Sequence, residues 1–203
     1  MNCQKLRRLT IIFRDSFRVI ISRNFSILFD ALYVFFLFIF FGRISAIEGL
    51  SRINSYSLPI LIRLFGAKIG KNSNIQRGVR FHNCKSLKNL SIGEACHIGK
   101  NAFIDLREKV VLGDRVVIAM NVTLLTHLDM GESKLSSYYP PKAMPLYLEN
   151  DVYVGEGTSI LMGVTIGECC LIGARSLITK PCNGYSLYAG VPATRVKDIY
   201  VKK

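Results

Sequence analysis

Residues 148–178 read LENDVY VGEGTS ILMGVT IGECCL IGARSL I, a run of units six residues long. Each unit opens with an aliphatic residue and continues with glycine or other small or turn-forming residues. The same unit recurs upstream, where it begins at Ile69, Ile75, Phe81, Ile92, Ile98, Ile104, Leu112, Ile118 and Leu124. A period of six matches neither the period of two of an amphipathic strand nor the 3.6 of a helix. The pattern therefore predicts a repeat architecture.

The fifteen units form five groups of three, and extra residues occur only between groups. Groups of eighteen residues predict a three-sided coil in which each side is a short strand and each corner is a turn. The aliphatic residues would stack inside the coil, and successive coils would pair through parallel strands. Glycine, asparagine and aspartate would occupy corners that need positive φ. We predict a mainly β protein, a parallel β-helix of about five coils over residues 66–199, with a tail at 200–203.

The N-terminal part has a different composition. Lys and Arg exceed Asp and Glu by 13 in the whole chain, and most of this excess precedes residue 71. The apolar run Ala31–Phe41 lies within this basic region and would be about 16 Å long as a helix, about half the hydrocarbon thickness of a bilayer. This combination favours an anionic membrane surface over nucleic acid. We predict a helical, membrane-associating segment over residues 1–65. The alternative is a helix packed on the protein or in an oligomer interface.

The longest interruption of the repeat is the loop 125–147, which contains His127. A loop of this length in a compact repeat is usually functional. Neutral imidazole can accept a proton near pH 7, so His127 is a candidate general base. His82 and His97 lie inside repeat units and are interpreted as strand or corner residues. A zinc site made of all three histidines would need them to converge across a subunit boundary.

The repeat units closely resemble those of the hexapeptide-repeat acyltransferases, whose fold is a left-handed parallel β-helix. The resemblance covers residues 66–199 and is strongest in DVYVGEGTSILMGVTIGECCLIGARSLITK (151–180) and YAGVPATRVKDI (188–199). That closing block is typical of the members that use acyl-CoA. The stretch LFGAKIGKNSNI (64–75) further resembles the branch that O-acetylates bacterial surface polysaccharides.

The resemblance implies the site. In this family a histidine at the start of such a loop is the general base, which implies His127, although many relatives carry it two residues later, where this chain has Asp129. Asp105 matches an acidic position of the family that either binds a sugar hydroxyl or orients the imidazole; an aspartate that caps a corner explains it equally well. Asp129 is a second candidate for the same role. The closing block implies a groove for CoA formed by Tyr153, Gly155, Gly173, Ala174, Thr179, Lys180 and Arg195.

The resemblance also implies the activity and the partners. We expect a homotrimeric, acetyl-CoA-dependent O-acetyltransferase that needs no metal. Its acceptor would be a sugar hydroxyl of a surface polysaccharide or of its lipid-linked precursor. The enzyme would work at the cytoplasmic face of the bacterial inner membrane, or in the cytoplasm. Two alternatives remain open: an N-acetyltransferase on an amino sugar, which would use the same fold and donor, and a non-catalytic β-helix scaffold at the membrane, which would have no reason to bind CoA.

Overall fold

The computed structural model describes residues 3–200, and side chains from Ser22 onward with the exception of Arg23. The chain begins with a long helix, α1 (Cys3–Gly49), whose backbone leaves the helical conformation at Gly42. A 3-10 turn (Leu50–Arg52) and a short helix, α2 (Leu58–Leu64), follow. The rest of the described chain is built mainly from strands of two or three residues joined by turns.

In chain order, the strands of the first three coils are β1 (Lys68–Ile69), β2 (Asn74–Ile75), β3 (Arg80–His82), β4 (Leu90–Ile92), β5 (His97–Ile98), β6 (Phe103–Asp105), β7 (Val110–Leu112), β8 (Val117–Ile118) and β9 (Thr123–Leu124). The loop that follows contains β10 (His127–Leu128), a 3-10 turn (Lys134–Ser137) and β11 (Lys142–Ala143). The remaining strands are β12 (Leu146–Leu148), β13 (Tyr153–Val154), β14 (Ser159–Ile160), β15 (Thr165–Ile166), β16 (Leu171–Ile172), β17 (Leu177–Ile178), β18 (Ser186–Gly190) and β19 (Ala193–Asp198).

The strands of the coils form three sheets, one for each side, and β10 and β11 form a separate two-stranded sheet. Sheet A has the order β1-β4-β7-β12-β15, sheet B β2-β5-β8-β13-β16-β18-β19, and sheet C β3-β6-β9-β14-β17. Within these three sheets all neighbours pair in parallel except β18 and β19, which form a terminal antiparallel hairpin. Cys182 pairs with Ile166, and β18 pairs with β16, so a sixth, incomplete coil follows the five complete ones. The predicted β-helix is confirmed, and the extra coil comes from a stretch that lacks the six-residue unit.

The interior is the stack of aliphatic residues that the repeat predicted. On sheet A, for example, Ile92 is in register with Ile69 on one side and Leu112 on the other. All fifteen residues that open a unit are buried except Ile69, which is half-buried at the first coil. Burying a side chain of this size stabilises the fold by about 1.5–3 kcal/mol. The stack therefore supplies most of the driving force for coiling.

The corners do not follow the prediction at every position. Asn72 and Asp151 have positive φ, as expected, but Ala95, Arg115 and Cys169 also have φ of 53–55° at the same point of their coils. Such a conformation costs a residue with a Cβ atom about 1–2 kcal/mol. The backbone N–H of each of these three residues donates to a carbonyl of the preceding coil, at 2.8–3.0 Å. The bond between coils, and not the residue type, therefore imposes the turn.

Glycine at the second position of a unit is explained differently. Successive coils approach each other closely there and leave no room for a side chain. A Cβ atom on Gly93 would overlap the carbonyl of Gly113, and one on Gly70 would overlap the backbone of Gly93. Neither glycine has positive φ. These residues are therefore required by the spacing between coils.

The N-terminal helices close the first coil and leave one surface apolar. Leu50, Ile53, Leu58 and Ile62 are fully buried against it. Of the described residues, 24–52 form the one helical segment that is long and apolar enough to cross a membrane by length and composition. Most of its side chains are not covered by the protein. They include Phe25, Leu28, Phe29, Leu32, Phe35, Phe36, Ile39, Phe40 and Phe41.

Asp30, which interrupts the apolar sequence, is turned away from this surface. Its carboxylate accepts hydrogen bonds from the Ser57 hydroxyl, at 2.6 Å, and from the side-chain amide of Asn54. The charge therefore ties α1 to the segment before α2. It does not interrupt the exposed apolar surface.

We expect the substitution Gly93→Ala to lower the free energy of unfolding by about 1–3 kcal/mol, because the methyl group must push two coils apart. Ser91→Ala, two residues earlier on the outer surface of β4, is the matched control and should stay within about 0.5 kcal/mol of wild type. Urea unfolding followed by circular dichroism measures both. Equal midpoints for the two variants would contradict the close-approach explanation.

Candidate active site

The polar residues of the candidate site lie along one edge of the coil. We call it the C–A edge; it is the column of corners at which the chain passes from sheet C to sheet A. Every insertion between groups of units, including the loop 125–147, lies on this edge. Asn83 follows β3, Asp105 ends β6, and Thr126 and His127 follow β9, so successive coils place them next to one another.

His127 is held at the base of the protruding loop. It belongs to β10, which pairs in antiparallel fashion with β11, opposite Ala143. The loop is therefore a hairpin that leaves the coil at the histidine and returns to it before β12. His127 is about one-fifth exposed, so its ring is positioned by the protein yet accessible to a substrate.

The imidazole is bonded to a buried carboxylate. His127 Nδ1 lies 2.7 Å from Asp105 Oδ2, and the Asp105 side chain is completely buried. The same oxygen accepts hydrogen bonds from the Thr126 backbone N–H, at 2.8 Å, and from the Thr126 hydroxyl, at 2.6 Å. The other oxygen accepts a bond from the Asn83 amide at 3.1 Å. An ionised carboxylate can accept all of these hydrogen bonds, so the bonds favour the ionised form of Asp105 over the protonated form.

The ionisation of Asp105 follows from these contacts. Burial raises the pKa of its carboxyl group, but the hydrogen bonds from Thr126, His127 and Asn83 outweigh burial, so the pKa lies below its ordinary value. Asp105 is therefore an anion at neutral pH. A carboxylate facing Nδ1 selects the tautomer with the proton on Nδ1 and leaves the lone pair on Nε2.

Asn83 contacts both members of the His127–Asp105 pair. Its amide nitrogen is 3.1 Å from His127 Nε2 and 3.4 Å from Nδ1. Being nearly equidistant from both ring nitrogens, the amide lies beside the ring and not in line with the Nε2 lone pair. Sequence reasoning missed both Asn83 and Thr126. The signal available was a polar residue one or two positions after the residue that opens the third unit, in each of the first three groups.

The structure places Asp129 away from the imidazole. Its carboxylate forms an ion pair with Arg107, at 3.2 Å, and accepts a hydrogen bond from the Gly131 N–H, at 2.9 Å. Asp129 nevertheless lines the pocket of about 210 Å³ that contains His127. The other lining residues are Arg107, Leu128, Pro141, Lys142 and Ala143.

The residues predicted for CoA lie on two different edges of the coil. Gly155 follows β13, and Gly173 and Ala174 follow β16, so these three lie where sheet B turns into sheet C. Thr179 and Lys180 follow β17 and lie on the C–A edge, two coils beyond His127. Since neighbouring strands are about 4.8 Å apart, this is about 10 Å along the edge. Within one protomer the two sets do not meet.

Two of these positions, Gly155 and Arg195, have structural roles as well, and Tyr153 is exposed. A Cβ atom on Gly155 would lie 2.5 Å from the backbone nitrogen of Ala174, so coil packing alone requires a glycine there. Tyr153 is on the outer surface of sheet B with 44 % of its area exposed. Arg195 is in β19, where its guanidinium pairs with Asp198 and donates to the Ser186 hydroxyl at 3.0 Å.

The three histidines lie apart in the sequence and on different elements: His82 in β3, His97 in β5 and His127 in β10. Elsewhere in the described chain, Asp151, Glu168 and Cys169 present possible metal ligands close together. Asp151 is already occupied by Arg115, which donates two hydrogen bonds of 2.7 Å to its carboxylate.

Comparison with known proteins identifies the family of this β-helix. A family model described as the hexapeptide repeat of succinyl-transferase matches residues 89–126 and 163–184. The chain is 31% identical over 145 residues to the galactoside O-acetyltransferase of Escherichia coli (strain K12), covering 68% of this chain and 67% of that enzyme. It is 27% identical over 138 residues to the putative colanic acid biosynthesis acetyltransferase WcaF of the same organism, covering 68% and 72%.

Solved structures of acetyltransferases are also similar to this chain. A galactoside acetyltransferase in complex with coenzyme A has a TM-score of 0.63 and 29% identity, covering 71% of this chain and 70% of that one. A maltose O-acetyltransferase from Clostridium difficile 630 has a TM-score of 0.56 and 26% identity, covering 71% and 76%. The chain belongs to the hexapeptide-repeat acetyltransferases. The predicted family, the left-handed β-helix and the class of enzyme, an acyltransferase with acetyl-CoA as co-substrate, are confirmed.

The low pKa of Asp105 predicts how stability depends on pH. A carboxyl group whose folded pKa is below the unfolded value of about 3.9 stabilises the fold above that pH, and the contribution is lost as pH falls through the folded pKa. Asp105→Asn cannot titrate. We therefore expect wild type to be more stable than Asp105→Asn at pH 7 and the difference to shrink below about pH 4. Urea midpoints at pH 7, 5, 4 and 3 measure it; a constant difference across this range would contradict the assignment.

Proposed function

We propose that this protein transfers the acetyl group of acetyl-CoA to a hydroxyl group of a saccharide at a membrane surface. The observation that carries the proposal is the His127–Asp105 pair, in which a buried anion holds Nδ1 while the ring lines an open pocket. Aligned general bases of this kind accelerate proton transfer by about 10²–10⁴-fold.

The reaction follows from this geometry. His127 Nε2 takes the proton of the acceptor hydroxyl as its oxygen attacks the thioester carbonyl carbon. The tetrahedral intermediate then collapses, the C–S bond breaks, and the CoA sulfur leaves with the proton returned by the imidazolium. Asp105 stabilises the imidazolium in between and keeps the ring in place, as the carboxylate of a catalytic triad does. Asn83 holds Asp105 and the ring in one arrangement.

Three relatives favour a sugar hydroxyl as acceptor. Their names specify a galactoside and maltose as O-acetyl acceptors and colanic acid biosynthesis as a context. A lipid-linked precursor of a surface polysaccharide combines such an acceptor with the apolar N-terminal surface. An amino group would use the same base, so the linkage in the product, ester or amide, separates the O-acetyltransferase from the N-acetyltransferase.

The split of the predicted CoA residues supports a shared site in a homotrimer. The pantetheine arm would pass the small residues Gly155, Gly173 and Ala174 of one protomer, and the phosphates would reach Thr179 and Lys180 of a neighbour. The outer surface of sheet B offers a stripe for such a contact, in which Val117, Tyr153 and Leu171 are in register on successive coils. Tyr153 and Leu171 are exposed in the single chain.

The N-terminal surface supports attachment to the cytoplasmic side of a membrane, where acetyl-CoA is available. Residues 24–41, about 27 Å of helix, carry exposed aromatic and aliphatic side chains, and basic residues precede them in the sequence. Soluble monomers rarely expose a large continuous apolar patch to water, so a patch along this length of helix marks an interaction surface. A helix packed in an oligomer interface is the competing explanation.

His127→Ala should lower kcat for acetyl transfer by about 10²–10⁴-fold, since the variant has no base in the pocket. Acetyl-CoA affinity should hardly change. The assay follows CoA release with a panel of saccharides, and mass spectrometry identifies the acetylated product. His97→Ala, on the outside of sheet B, is the control for loss of a histidine. Turnover by His127→Ala within tenfold of wild type would remove this residue from the mechanism.

Lys180→Ala should weaken acetyl-CoA binding by about tenfold, and more at low salt than at high salt, because its partner would be a phosphate. Isothermal titration calorimetry measures the effect. Lys71→Ala, an exposed corner lysine of the first coil, is the matched control. Equal affinities for the two variants would mean that the phosphates bind elsewhere.

Membrane attachment should fail when the apolar surface is made polar. We expect Phe36→Glu with Phe40→Glu to reduce co-sedimentation with vesicles of phosphatidylglycerol and phosphatidylethanolamine by at least tenfold, because each buried phenylalanine contributes about 1.5–3 kcal/mol. Leu135→Glu with Tyr138→Glu, at the tip of the loop 125–147, is the control. If the wild-type protein does not co-sediment with these vesicles, the result favours the alternative that the apolar surface packs in an oligomer interface.

A further inference from the structure

Three cavities continue one another from the catalytic pair toward the first coil. The His127 pocket shares Arg107 with a cavity of about 340 Å³ that is lined by Asn83, Cys84 and Lys85. That cavity shares Glu48, Phe81 and His82 with a third one of about 300 Å³. The third cavity lies on the outer surface of sheet C and is otherwise lined by Ser51, Arg80 and Phe103. We call this third cavity the outer pocket.

The N-terminal helix forms one wall of this groove. Ile44, Ile47 and Glu48 of α1 line the middle cavity, and Glu48 also lines the outer pocket. The side chain of Ile47 is buried, so this end of the helix is fixed against the first coil. Glu48 is exposed, and no ion-pair partner for it exists among the residues with described side chains.

The opposite wall consists of planar side chains. The rings of His82 and Phe103 are 5.5 Å apart, and the Arg80 guanidinium carbon lies 5.7 Å from the centre of the Phe103 ring. The strand register explains this arrangement, because Arg80 and His82 are on β3 and Phe103 is opposite Arg80 on β6. A row of flat groups facing a free carboxylate is amphipathic, with an apolar surface on one side and hydrogen-bonding groups at its margin.

We propose that the outer pocket binds a second sugar unit of the acceptor, so that the natural acceptor is an oligosaccharide and not a free monosaccharide. This inference rests on the proposed function. The first unit would present its hydroxyl to His127, and the next unit would lie over Phe103, with hydroxyls toward Glu48, Arg80 and His82. Sugars combine an apolar C–H surface with a ring of hydroxyl groups, which is the complement of this wall.

The size and position of the groove support this assignment. Pockets that bind small molecules measure about 300–1,000 Å³, and the middle and outer cavities each lie at the lower end of this range. Contacts far from the reacting atoms raise the reaction rate when their binding energy positions the substrate. The outer pocket also adjoins the end of α1, and the exposed apolar part of α1 lies a few residues away along the same helix. An oligosaccharide held at a membrane would therefore enter from this side.

The test compares acceptors of different length. The probes are two matched series: methyl galactoside with its two- and three-unit galactose oligomers, and glucose with maltose and maltotriose. In whichever series is acetylated, we expect kcat/KM in wild type to rise by at least about tenfold from one unit to two, the size of one good polar or stacking contact.

Two variants locate the effect. Phe103→Ala and Glu48→Gln should lower kcat/KM for the two-unit acceptor by about tenfold and leave the one-unit value and the KM for acetyl-CoA within twofold. Glu94→Gln, an exposed glutamate at a corner between sheets A and B, is the matched control and should change none of these values. Phe103→Leu, with the urea midpoint of each variant, keeps the test valid if Phe103→Ala lowers stability.

Each outcome is distinct. If wild type acetylates one-unit and two-unit acceptors equally well, or if Phe103→Ala and Glu48→Gln lower both in proportion, the outer pocket is not a second sugar site, and the acetyltransferase assignment stands. If no saccharide of either length is acetylated, the proposed function fails, and the oligosaccharide site fails with it.

Discussion

The spacing between successive coils is the constraint on which the rest of this molecule depends. Parallel strands must lie about 4.8 Å apart to share their hydrogen bonds. That distance requires glycine where the backbones of two coils come closest, as at Gly70 and Gly93. It also requires aliphatic residues of matched size in the interior. It also imposes positive φ on residues such as Ala95 and Arg115, because their N–H groups must reach the coil before them. Local preferences yield to this stacking wherever the two conflict.

The same stacking builds the candidate active site. Residues on three neighbouring coils are brought into contact because each lies at the end of a strand of sheet C. Asp105 is buried between the coils of Asn83 and His127, and this position provides both its burial and its hydrogen-bond donors. The repeat therefore places Asn83 and Asp105 beside His127, whose own position is fixed by the β10–β11 hairpin. The irregular part, the loop 125–147, then encloses the pocket from one side.

The N-terminal helices add three features to the coil. They close the first coil, carry the exposed apolar surface and form one wall of the groove that leads from His127 to Phe103. Attachment to a membrane and choice of acceptor would thus depend on the same helix. The coil beyond it supplies the proposed catalytic pair and the residues proposed for the coenzyme.

The sequence by itself determined the β-helix, because a period of six is a local pattern that every unit repeats, and all fifteen opening residues lie where it predicts. It also pointed to His127 and Asp105 through family resemblance. It did not reveal the incomplete sixth coil, whose residues lack the unit, or the partnership of Asp129 with Arg107. Asn83, Thr126 and the orientation of Asp30 toward Ser57 were equally hidden. Only the tertiary structure decided these features, because they join residues 16 to 27 positions apart whose contact depends on the register between coils and on how α1 packs against them.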